Sequence, residues 1–159
     1  ISTEKFGFSL MQNHRSVAEI LRVVHRFRAV DRSGLFALAK DVARVIVDDI
    51  DAAALQRLVP PPKGTKWGSL KSLENVAALQ LGANKARETL SPIVGAYELR
   101  HADAHLPGSE VDEHLLLAKV DQSAPPVVQG FQLLDGVTDA LDTIAAALAA
   151  LRPDAIPKV

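Results

Sequence analysis

Apolar residues recur every three or four positions over most of the chain, the spacing of a helix with one buried face. Val17, Ile20, Leu21, Val24 and Phe27 predict a first helix from about Ser16 to Val30, with Ser16 as its N-cap. Ser33-Gly34 predicts a break. Leu35, Leu38, Ala39, Val42 and Ile46 then predict a second helix to about Ile50, and Asp51 a cap for a short one through Leu58. Pro60-Pro61-Pro62, with Gly64 and Gly68, makes Val59 to Ser69 a loop, since consecutive prolines lack amide donors and clash with a preceding helical turn. Trp67 at its end reads as a packing anchor.

Ser69 or Ser72 opens a long helical stretch with Leu73, Val76, Ala77, Ala83, Ala86 and Leu90 inward. Pro92 predicts either a kink or a fresh helix capped by Ser91. The pattern resumes through Ile93, Val94, Tyr97 and Ala104, and Pro107-Gly108 ends it. Glu110 to Val120 reads as a short helix and Asp121 to Gln129 as a loop. Last, Leu134, Val137, Leu141, Ile144, Leu148 and Leu151 alternate spacings of three and four, a heptad seam for packing in a bundle or across a dimer. The expected architecture is an all-α bundle of about five or six helices. Residues 1–13 form an irregular lead-in, 14–152 one helical domain and 153–159 a tail.

Composition supports helices over sheets. Aromatics are only 4% of a chain that is 48% hydrophobic, and the apolar share is mostly Ala, Leu and Val. Cysteine is absent, which excludes disulfides, thiolate metal sites and a cysteine nucleophile. No apolar run approaches the roughly twenty residues that span a bilayer, and no secretory leader is visible. A soluble chain of the cytoplasm, with no membrane partner, is the expectation. The sequence opens at Ile1 rather than Met, so a domain ahead of it stays open.

Net charge is −1, which gives no global pull toward nucleic acid. The charges are segregated, however. His14 to Arg32 carries Arg15, Arg22, Arg26, Arg28 and Arg32 against Glu19 and Asp31; Glu98 to Asp142 carries nine acids against Arg100 and Lys119. Each run also has a plain reading as a solvated helix face.

The polar cluster that breaks the apolar pattern is Glu98-Leu99-Arg100-His101-Ala102-Asp103-Ala104-His105. It admits three readings. Arg100 pairs with Asp103 or Glu98, and His105 serves a helix C-terminus. Alternatively His101 and His105, four apart on one helix face, share a metal with His114 as third ligand, though Ala102 stands where the mechanistic Glu of such a motif belongs. The third reading is a catalytic Arg/His pair, with no metal and no cofactor.

Arg100, four residues and His105 resemble the R-x4-6-H signature of the HEPN superfamily, which lies at the end of a long helix in a small all-α bundle. A polar residue commonly follows the Arg, and His101 fits. The resemblance covers this motif and the general helical layout. It implies a metal-independent endoribonuclease in which two protomers of a homodimer join their motifs in one cleft. Arg100 clamps phosphate, His105 takes the proton of a ribose 2′-OH, and His101, Glu98 and Asp103 support them. Arg22, Arg26 and Arg28 are the expected RNA contacts. The family further implies a toxin, antiviral or stress-response setting, with an antitoxin or other regulatory protein as a partner. A Tyr that some members carry two residues after the His is here Pro107, so its modification is not available. Along a strict α-helix, positions 100 and 105 point about 140° apart, so the helix must distort or end between them, or the pair must form across the dimer. The alternative function is a non-catalytic helical interaction or dimerisation domain.

Overall fold

A computed structural model describes residues 2–12, 16–100 and 108–152. Among them are eight α-helices and no strand: α1 (Ser2–Phe6), α2 (Val17–Leu21), α3 (Arg32–Ile46), α4 (Ala52–Leu58), α5 (Ser69–Leu81), α6 (Ala83–Leu99), α7 (Gly108–Leu117) and α8 (Pro126–Ala150). A single 3₁₀ turn, Arg26–Arg28, joins α2 to α3. The all-α class and the bundle layout are as the periodicity predicts. The element count is higher, because three of the expected elements divide or lie elsewhere.

The first helix divides. It ends at Leu21, and His25 is fully extended before the 3₁₀ turn. Adjacent β-branched Val23 and Val24 weaken a helix here. Asp31 then caps α3 by accepting from the Gly34 amide at 2.7 Å. Ser33-Gly34 therefore sits inside the first turn of α3 rather than breaking the chain. Ser16 stands at the N-cap of α2 as expected, its carbonyl accepting from the Ile20 amide at 3.0 Å.

The long stretch after the proline loop also divides, at Gly82, which adopts φ +79° and so ends α5 in a conformation disfavoured for residues with a Cβ. Pro92 does not start a new helix but lies inside α6. It is buried within the helix, facing α8 where Gly136 passes close by. The Asp51 cap forms as expected, accepting from the Ala54 amide at 2.9 Å. Gln56 Nε2 donates to the Trp67 carbonyl and to Ser72 Oγ, both at 3.0 Å, which ties the proline loop to α4 and α5.

Nor are residues 2–12 an irregular lead-in. α1 occupies its start, and Leu10 is buried in the core. Met11 bridges Ile50, the Gln12 amide donates to the Asp49 carbonyl at 2.7 Å, and the Asp51 amide donates to the Leu10 carbonyl at 3.0 Å.

α6 is the central helix, packed against α3, α5, α7 and α8. Leu90, Ile93, Ala96 and Leu99 give it a nearly dry face. Gly95 lets α7 come close: a Cβ there would lie 2.6 Å from the Ala118 Cα. The heptad seam of α8 is rotated by part of a turn from the expected one. Leu133, Val137, Ala140, Ile144, Ala147 and Leu151 enter the core, while Leu141 is exposed and Leu134 and Leu148 are half-buried. Val137, Ile144 and Leu151 are thus used by the chain's own bundle, and the expected seam is not a free stripe for a second copy. No described helix is long and apolar enough to cross a membrane.

Candidate functional site

Arg100 is the residue at which α6 stops. The last helical residue is Leu99, fully buried, and Arg100 follows as the C-cap with φ −59° and ψ −23°. Leu99 in the core fixes where the next side chain starts. From there the guanidinium reaches Asp48, 52 positions earlier, donating from Nη1 to Oδ1 at 3.0 Å. Its flat face lies on the Tyr97 ring, 3.8 Å from guanidinium carbon to ring centroid. The Arg100 side chain is 21% exposed, and that of Asp48 is 45% exposed. Stacking and a directed ion pair together hold a delocalised cation in one plane at the mouth of the bundle.

Asp48 owes its position to the turn between α3 and α4. Val47 and Ile50 are buried on either side of it, and the Asp48 amide donates back to the Ala43 carbonyl at 3.2 Å. Local spacing offers Glu98 or Asp103 as the ion partner of Arg100. Among the described residues Asp48 is an ion partner, which no local spacing reveals. Glu98 is half-buried beside it in the last turn of α6. His101, Asp103 and His105 lie outside the described residues.

The three expected RNA contacts sit elsewhere. Arg22, Arg26 and Arg28 are all exposed, on and before the 3₁₀ turn. This turn packs its Arg28 carbonyl against Gly34, at the N-terminal end of α3. Arg100 meets the chain just past the other end of α3. At 1.5 Å per residue, Gly34 and Asp48 are separated by about 20 Å along α3. Arg26 stacks on the exposed Phe27 ring at 4.8 Å, and Arg28 faces the buried Asp41 carboxylate at 3.8 Å.

His114, the third member of the metal reading, is half-buried in α7, and its Nδ1 is enclosed with no hydrogen-bond partner. Among the described residues, no three His, Asp or Glu side chains converge as a metal site would require. The arrangement around Arg100 suits a different task. It presents one oriented guanidinium, which is chemistry for gripping a phosphate or carboxylate.

No family model, no curated protein and no solved structure matches this chain.

Proposed function

We propose that the chain is a metal-independent endoribonuclease of the HEPN type, acting as a homodimer. The observation that carries this reading is the placement of Arg100. It is held by Asp48 and Tyr97 at the end of a 17-residue core helix, sheltered but not sealed. A phosphate clamp needs such a fixed, partly desolvated guanidinium, because a preorganised charge stabilises the transition state without reorganising.

In this reading His105 deprotonates the ribose 2′-OH, which attacks the adjacent phosphorus. The 5′-oxygen leaves with a proton, and the product strand ends in a 2′,3′-cyclic phosphate. Arg100 offsets the charge that builds on the non-bridging oxygens. The dimer face in this reading is the one carrying Arg100, since the α8 seam is largely spent on the core. The basic 3₁₀ segment serves RNA that extends beyond the cleft, drawn by long-range attraction.

A second reading rests on the same ion pair. Arg100 in contact with Asp48 also tethers α6 to the α3–α4 turn, as a non-catalytic helical interaction domain would use it. Incubation with mixed RNA in EDTA separates the two. The enzymatic reading expects cleavage products with cyclic-phosphate ends, seen by mass spectrometry and lost in Arg100→Ala and His105→Ala. An inert parent protein at micromolar concentration sinks it.

A further inference from the structure

An apolar groove of about 520 Å³ lies between the N-terminal segment and α8. Its floor is Leu10, Ile50, Leu55, Leu73 and Ile144, each at most 8% exposed. Along α8 the wall is Leu141 and Leu148, two heptad positions that the core does not bury, with Ala145 between them. Met11 and Leu141 stand at the mouth, 46% and 37% exposed. Apolar side chains held open to water on a rigid frame lower their free energy when an apolar ligand covers them. The volume falls in the range of small-molecule sites, roughly 300–1,000 Å³.

The groove is built, not a gap between loose parts. The backbone pairing of residues 10–12 with 49–51 fixes one wall. The Lys5 ammonium donates to the Leu148 and Ala149 carbonyls at the end of α8, which pins the N-terminal segment across the helix. That cation is thereby drawn to the helix terminus. The charged residue in the groove lining is Asp142, exposed at the mouth, with Asp139 one turn before it on α8. At the Leu148 end the Lys5 ammonium, held by the two carbonyls, also lies 5.9 Å over the Phe6 ring, whereas at the Leu141 end the exposed Asp142 carboxylate favours a cationic head.

We infer that the groove binds an aliphatic ammonium compound, its alkyl chain along Leu141, Ala145 and Leu148 and its cationic head at Asp142. This site is separate from Arg100 and does not depend on RNA cleavage.

Calorimetric titration with dodecyltrimethylammonium, below its micellar concentration, tests the inference, with dodecanoate as the matched anion. The expected result is saturable one-site binding of the ammonium, roughly three- to tenfold tighter than dodecanoate. Asp142→Asn, at an exposed position, should reduce that preference about threefold without removing binding. Ala145→Trp fills the groove and should abolish binding while the melting temperature holds. Met11→Trp, at the mouth, is the second blocking variant should the first misfold. No saturable binding, equal binding of both amphiphiles, or undiminished binding in a folded blocking variant overturns the inference. So does light scattering in which Ala145→Trp splits a parent dimer that takes up no amphiphile, because a second copy would then be the occupant.

Discussion

The two ends of α3 carry arginine in opposite ways. At its N-terminal end Arg22, Arg26, Arg28 and Arg32 crowd an exposed turn. Beyond its C-terminal end stands Arg100, alone of its type in the stretch 88–151, four-fifths sheltered and braced by a ring and a carboxylate. Four such charges raise the local potential and speed encounter with a polyanion, and of them Arg28 has the Asp41 carboxylate beside it at 3.8 Å. A single guanidinium with its plane set can act on one bond. Charge density and fixed orientation are therefore separable, and this molecule holds them in different side chains.

Removing the sheltered arginine should have the largest effect. Arg100→Ala and His105→Ala are each expected to lower RNA cleavage by about 10²–10⁴, measured as initial rates at saturating RNA. The Arg100–Asp48 pair is partly solvent-screened, so Arg100→Ala should cost only about 1 kcal/mol or less in stability. A large fall in melting temperature with no activity in the parent would instead favour the tether reading. His101→Ala should be milder than either.

Neutralising the exposed end should change binding rather than chemistry. A triple change of Arg22, Arg26 and Arg28 to Gln should flatten the salt dependence of RNA affinity. If each meets one phosphate, the slope falls by roughly 0.7 per residue. The rate at saturation should be nearly unaltered. A rate collapse equal to that of Arg100→Ala would break the contrast between the two ends.

Between these lies Asp48→Asn, which keeps the shape but weakens the brace. We expect roughly a tenfold loss of cleavage rate, since small displacements of a reacting group are costly. The smallest effects belong to the two capping aspartates that bracket the same helix and turn. Asp31→Ala and Asp51→Ala should each destabilise by about 1 kcal/mol, a few degrees in thermal melts, with no specific loss of rate.

What could be read from the sequence follows the range of the forces involved. Local signals were legible: the Asp51 cap, the proline loop and the helical periods. The end of α6 was not, since the apolar pattern runs on through Ala104 to Pro107-Gly108 while the helix stops at Leu99. The break at Gly82 was missed, because strong helix formers on both sides hid it. Pro92 left two alternatives open, and only the structure shows that it lies inside one continuous α6. The rotated seam of α8 reflects a choice between two leucine-rich faces that only the other helices decide. The Arg100–Asp48 pair and the groove both depend on contacts across tens of residues, beyond any spacing rule. His105, the other half of the motif, lies outside the described residues.

The α3–α4 turn belongs to both sites at once. Ile46 and Ile50 line the groove, and Asp48 between them reaches out to Arg100. Coupling between the two would require that turn to have two settings, and any change in affinity would then be equal in both directions. The three residues between the two isoleucines are thus shared ground, one short turn that sets both a wall of the groove and the contact to Arg100.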